Sequence, residues 1–262
     1  YDEKGNMIPW LVDEIPTVDN GGVSKDLTSI TWKIKKGIKF SDGSELTAED
    51  AVFTYEYCTN PDTGCTQTNY YSDIQSVKAL DRYTIQVNFS VAKPFPYQAF
   101  VGYNSPILQK AQFKDCAGTR AQECNEENFY PIGTGPFVVK DFKANDVIVF
   151  EANPNYRDSS KPAFQTLVFK GGGDAVSAAR AVLETGEMDY AWNLQVEPEI
   201  LSNMEKAGKG TVVSAFGPAV ERLMVNFTNP DPALGENRSE FIGGNNNRNP
   251  HPFLADYAVR RA

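Results

Sequence analysis

Residues 28–35, Thr-Ser-Ile-Thr-Trp-Lys-Ile-Lys, alternate polar and apolar side chains, which is the period of a half-buried strand. Lys36-Gly37 marks a turn, and Ile38 and Phe40 carry the alternation on to a second turn at Ser41-Asp-Gly-Ser44. Thr47-Ala-Glu-Asp50 then reads as a helix start. The Thr47 hydroxyl can cap, and Glu49 and Asp50 suit the positive end of the helix. The helix is predicted to run through residue 57 with Val52, Tyr55 and Phe53 turned inward. Residues 76–80 and 83–89 flank Asp81-Arg82 as a hairpin of period two. The stretch 94–100, Pro-Phe-Pro-Tyr-Gln-Ala-Phe, is expected to form a short helix packing its aromatics.

Composition shifts at the Pro/Gly-rich stretch 130–136, which places a domain boundary near residue 131. Beyond it the pattern predicts a hairpin over 137–142 and 147–151, a strand over 163–169 and a helix over 174–184 that stops at Gly186. A short strand over 188–192, a helix over 198–206 and strands over 212–216 and 223–227 follow. Residues 229–250 are rich in Asn, Gly and Pro and read as a long surface loop. Hairpins dominate before residue 131, while strands and helices alternate after it. The fold class is therefore α/β (mixed α+β), an α+β unit over 1–130 joined to an α/β unit over 131–262.

The chain has 262 residues, enough for one large domain or two ordinary ones, and carries a net charge of −9. Its 25 Lys and Arg form no long basic run, so nucleic acid and anionic lipid make poor partners. No stretch reaches the roughly 20 apolar residues that a membrane helix needs. A single His argues against His-based triads and multi-His metal sites. The chain opens at Tyr1 without an initiator Met or a signal stretch and closes inside a predicted helix over 256–262, so it is expected to be a piece of a longer one.

Four cysteines form two close pairs, Cys58 with Cys65 and Cys116 with Cys124, each in polar, turn-rich sequence. Neither spacing is that of a zinc knuckle. Two local disulfides are the natural reading, each worth about 2.5 kcal/mol by loop entropy, and they imply an oxidising compartment. Other connectivities and a reduced, cytosolic state stay open.

The remaining motifs carry little chemistry. Gly133-Thr-Gly135 lacks a third glycine and leads through Pro136 into a strand, so it suits a tight turn better than a nucleotide. Lys170-Gly-Gly-Gly-Asp174 precedes a helix but lacks the Lys-Ser/Thr of a phosphate loop, and the Asp174 carboxylate would repel phosphate. The carboxylates of Asp42 to Asp50 miss the spacing of a calcium loop and are explained by a turn and a cap. His251, between Pro250 and Pro252, is expected to be exposed and structural. No nucleophile elbow, zinc-protease motif, redox cysteine pair or cofactor motif is present. Tyr70, Tyr71, Tyr190 and Trp192 remain, aromatics that either fill a core or line a pocket for an organic solute.

The stretch from Trp32 to Tyr55, with Gly37, Phe40-Ser-Asp-Gly43 and Thr47-Ala-Glu-Asp50, resembles the family 5 extracellular solute-binding proteins, the peptide-type receptors of ABC importers. The likeness continues in order through Val77-Lys-Ala-Leu-Asp-Arg-Tyr-Thr84, Ile132-Gly-Thr-Gly-Pro-Phe137, Glu151-Ala-Asn-Pro-Asn-Tyr156, Gly186-Glu-Met-Asp189 and Asn249-Pro-His-Pro-Phe-Leu-Ala-Asp-Tyr-Ala-Val-Arg260. The resemblance implies a periplasmic-binding-protein-like type II lobe, incomplete, with the family's accessory domain over 1–130 and part of the first ligand-binding lobe over 131–262. By the same resemblance, the second lobe is expected to lie outside this piece. It further implies an extracytoplasmic protein that captures a peptide or other small molecule by domain closure and passes it to permease subunits, without cofactor or catalysis. Any membrane association would come through an N-terminal anchor lost from this piece. A secreted hydrolase with its catalytic half missing and a non-transport surface sensor are the alternatives. The cysteine pairs and the lengthened loop at Gly243-Gly-Asn-Asn-Asn247 depart from the family pattern. As ligand-binding positions the resemblance implies Trp192, Asn193 and Gln195, the pair Tyr70 and Tyr71, and Glu221 with Arg222.

Overall fold

Alternating side chains build the first sheet. In β1 (Ser29–Lys33), β2 (Ile74–Asp81) and β3 (Thr84–Phe89), ordered β1-β3-β2 and antiparallel throughout, Ile30, Trp32, Val77, Ile85 and Val87 are buried. The opposite face presents Ser29, Thr31, Gln86, Asn88, Ser76 and Lys78, paired across the strands in register. The computed structural model describes residues 1, 2, 4–214, 222, 224–226, 228–238 and 249–261. These divide into two compact units, Tyr1–Asp174 and Ala175–Ala262.

Helix α1 (Ala48–Thr59) covers the apolar face of that sheet, with Ala48 and Ala51 in the same core as Ile30, Phe40 and Leu46. Its start is built by Asp50, whose buried carboxylate accepts from the Thr47 N–H at 2.9 Å, the Thr47 hydroxyl at 3.0 Å and the Lys110 N–H at 2.9 Å. The third bond ties the start of α1 to α2 (Lys110–Phe113). The buried residues of α1 include Ala51, Phe53, Thr54, Tyr57 and Cys58, while the expected inward residues Val52 and Tyr55 are only half-buried. The helix serves two cores at once, which widens its buried face beyond a single stripe. Ile38 and Phe40 are buried as their alternation requires, at 3% and 1% exposure, but pair no strand; only an isolated bridge joins Lys39 to Glu45.

The second core packs Phe53, Tyr57, Tyr71 and Phe113 beside Cys58 and Cys116. Both local disulfides are present, Cys58–Cys65 and Cys116–Cys124. The loops they close meet where the Gly118 N–H donates to Thr63 Oγ1 at 2.9 Å. Residues 94–100 form no helix. Pro94 and Pro96 bias the residues before them toward extended backbone. The stretch instead delivers Tyr97 edge-on to Trp32, its hydroxyl donating to the Pro16 carbonyl at 2.7 Å.

After α3 (Asn125–Phe129) the second sheet forms from β4 (Phe137–Lys143), β5 (Val147–Ala152) and β6 (Thr166–Lys170), in the order β4-β5-β6 and antiparallel. Among the described residues after 131, three strands precede three α-helices rather than alternating with them. One junction links the two sheets' surroundings. The Ser41 N–H donates to the Gly133 carbonyl at 2.9 Å, and Asn155 Nδ2 donates to the Ser41 carbonyl at 3.0 Å. Asn153 Nδ2 in turn donates to the Gly135 carbonyl at 2.8 Å. Three stretches that carry the family resemblance thus meet around one backbone position.

In the second unit, α4 (Ala175–Leu183) and α5 (Pro198–Glu205) enclose a small core of Ala179, Leu183 and Met204. Residues 188–192 are not a strand, nor are 212–214 or 224–226. The rest of those two expected strands, at 215, 216, 223 and 227, lies outside the described residues, as do 239–248 of the expected loop. Within that loop Pro232–Asn237 forms 3-10 turns, and α6 (Tyr257–Arg261) occupies the expected terminal helix. His251 is buried, not exposed: its Nδ1 accepts from the Leu254 N–H at 3.0 Å and its ring meets Phe253 edge-on.

Candidate functional site

After α4 the chain turns at Gly186, whose φ of +68° suits glycine, and the Met188 N–H donates back to the Ala181 carbonyl at 3.1 Å. Leu194 packs onto the Ala179–Leu183–Met204 core and holds the segment down. Its neighbours Trp192, Asn193 and Gln195 are exposed, Trp192 at 79% and the nearby Tyr190 at 76%. Asn193 sits at φ +54°, a left-handed conformation that Asn tolerates better than most residues. Large aromatic rings left in water beside side-chain amides can offer a solute a flat apolar face and hydrogen bonds together.

The other expected positions fall differently. Tyr71, expected to face ligand, lies in the second core at 2% exposure. Its ring meets Tyr55 and Phe100 edge-on, and its hydroxyl pairs with Ser105 Oγ at 3.1 Å. Burial pushes its phenol pKa up, partly offset by that hydrogen bond. Tyr70 is half-buried on the edge of the same core. Arg222 is exposed, and Glu221 lies outside the described residues. The structure therefore brings Trp192, Asn193 and Gln195 together on one short segment and assigns Tyr70 and Tyr71 to the other unit.

Cys116, Cys124 and Glu127 place three potential metal-ligand atoms within 4.8 Å of one another. The two sulfurs are bonded to each other, so neither is a thiolate able to ligate. No cysteine among the described residues is free. Sequence reasoning missed the Ser41 junction, since a backbone amide leaves no mark in side-chain periodicity. Its only signal was the recurrence of Asn153, Asn155 and Gly133 within stretches already set apart by the resemblance.

Comparison with known proteins matches residues 6–262 to the bacterial extracellular solute-binding proteins, family 5, middle region. The oligopeptide-binding protein AppA of Bacillus subtilis is 34% identical over 194 residues, covering 72% of this chain and 33% of its own length. The glutathione-binding protein GsiB of Pectobacterium atrosepticum is 26% identical over 210 residues, covering 80% of this chain and 39% of its own. The solved structure of B. subtilis AppA in complex with a nonapeptide superposes with a TM-score of 0.58 at 32% identity, over 71% of this chain and 35% of that one. The chain thus spans about a third of the length of the curated relatives it matches. With a match running nearly from end to end, the chain belongs to the family 5 bacterial extracellular solute-binding proteins.

Proposed function

We propose that this chain is the ligand-capturing part of an extracytoplasmic receptor that takes up a peptide or similar small solute and delivers it to the permease of an ABC importer. Residues 1–130 act as the accessory domain and 131–262 as part of the first lobe. Capture proceeds by domain closure around the solute, with no bond made or broken. The observation that carries this reading is the exposed strip Tyr190, Trp192, Asn193 and Gln195, anchored by Leu194, in a chain of this family. The relative solved with a nonapeptide supports a peptide as the solute, and two disulfides suit an oxidising compartment. Arg222 and Glu221 are secondary candidates for polar contacts.

Titration of the full-length receptor with a panel of peptides, by calorimetry and thermal shift, tests it. Stoichiometric binding without turnover is expected, and hydrolysis of the peptides would overturn it. Trp192→Ala should weaken binding by about tenfold or more, roughly 1.4 kcal/mol. The same substitution should change stability by no more than about 0.5 kcal/mol, because the side chain packs against little. Unchanged affinity would remove Trp192 from the site.

A further inference from the structure

A strand at the edge of a sheet is a template for another strand unless it is covered, bent or charged. Among the described residues the two sheets have four edges, and three of them are guarded. β1 is covered, since the Thr31 N–H donates to the Gly22 carbonyl at 2.7 Å and the Ser24 N–H donates to the Ser29 carbonyl at 3.0 Å. β2 is bent by register shifts between Ile74 and Ser76 and between Ala79 and Asp81. β4 has one such shift, between Val139 and Asp141, and carries Lys140, Asp141 and Lys143. β6, Thr166-Leu-Val-Phe-Lys170, has none of these defences. It holds no proline, keeps an unbroken register with β5 and bears a single charge, on its last residue. Val168 and Phe169 are exposed.

The hydrogen bonds that flank β6 fix which of its backbone groups point outward. The Ala152 N–H donates to the Gln165 carbonyl at 2.9 Å, and the Gly171 N–H donates to the Asp146 carbonyl at 2.6 Å. Both pairs continue the β5–β6 register, in which hydrogen-bonded and open pairs alternate. Phe150–Leu167 and Ile148–Phe169 are therefore the bonded pairs. The N–H and C=O groups of Thr166, Val168 and Lys170 point away from β5 and meet no described residue.

We propose that two copies of this chain pair β6 with β6, antiparallel about a two-fold axis at Val168, and join their sheets into one of six strands. The strand is self-complementary in that register. Val168 faces Val168 and Thr166 faces Lys170, while on the other side of the sheet Leu167 faces Phe169. Every outward amide and carbonyl of β6 finds a partner, apolar meets apolar on both sides, and no like charges are opposed. Such short strands bury less than the roughly 1,200 Å² of a stable complex, so the dimer is weak, with a Kd on the order of 100 μM. The net charge of −9 on each copy adds repulsion that salt screens, so pairing strengthens as ionic strength rises. This surface lies in the first unit and does not depend on the Trp192 segment.

The test is sedimentation equilibrium of the 262-residue chain, both disulfides formed, from about 10 μM to 1 mM, with amide hydrogen exchange at both ends of that range. The average mass should climb toward twice the monomer value. Exchange at Thr166, Val168 and Lys170 should slow with concentration, while Leu167 and Phe169 keep one rate. Val168→Lys sets two ammonium groups at the axis and should weaken the dimer about tenfold or more. Val168→Pro removes an outward N–H without taking a bond from β5, and should weaken it likewise. A chain that stays monomeric at 1 mM overturns the proposal, as does a dimer that both folded variants leave intact. Slow exchange of the outward amides already in the monomer would place another segment of the same chain on this edge and overturn it too.

Discussion

The two sheets have the same number of strands and the same antiparallel pattern, yet they are built on opposite plans. In the first, polar and apolar residues alternate, so one face stays wet and the other receives α1. Ile30, Ile85 and Val87 in its strands, and Phe40 and Leu46 packed beside them in the same core, are each at most 2% exposed, each burial contributing about 1.5–3 kcal/mol. In the second, β5 reads Val-Ile-Val-Phe and β6 Leu-Val-Phe, nearly unbroken apolar runs of the kind found where both faces are covered. None of the described side chains of β4, β5 or β6 is fully buried, and Val168 and Phe169 are 48% and 55% exposed. The first sheet finds its cover within these residues. The second has a pattern suited to more cover than they supply, in keeping with a chain that spans about a third of its relatives.

Substitution can break that comparison. Phe40→Ala should cost about 3–5 kcal/mol by urea denaturation, from lost transfer energy and the cavity left behind. Phe169→Ala, from the exposed end of the same scale, should cost no more than about 0.5 kcal/mol. Equal losses at the two sites would show that the second sheet is buried after all. Next in size is Asp50→Ala, which strands three hydrogen-bond donors at the start of α1 and should cost about 2–3 kcal/mol. A loss below ~0.5 kcal/mol would mean that α1 is held by its apolar face alone.

The smallest effect is acid-dependent. Burial alone would raise the Asp42 pKa, but hydrogen bonds from Ser44 and Gln109 outweigh it and hold the carboxyl below its ordinary value of 3.8. A lowered pKa in the fold means that this contribution is fully present above the ordinary value. It is lost as pH falls from there through the folded-state pKa. Asp42→Asn should flatten the stability curve across that acid window and leave its slope above pH ~6 unchanged. An unaltered acid limb would remove Asp42 from the linkage.

Elements set by local pattern were legible in the sequence. α1, both hairpins, α4 and the two cysteine pairs follow from periodicity, capping and short spacing. What failed depended on distant partners. Tyr71 became a core residue because Phe100 and Ser105 come to meet it from some thirty positions away. His251 is buried through bonds to backbone that its flanking prolines do not announce. The stretch 188–192 has a strand's composition but no neighbouring strand to pair with among the described residues. Of the candidate site, Trp192 stood out in the sequence as an aromatic that either fills a core or lines a pocket, and only the family likeness proposes it, with Asn193 and Gln195, as a ligand-binding position, since an exposed aromatic and a core aromatic look alike in a linear pattern.

The Cys116–Cys124 link encloses Arg120, an exposed cleavage point for trypsin-like proteases. A nick there would leave the two pieces tethered through sulfur, so the cut chain would still run as one species on a non-reducing gel and part only when a reductant is added.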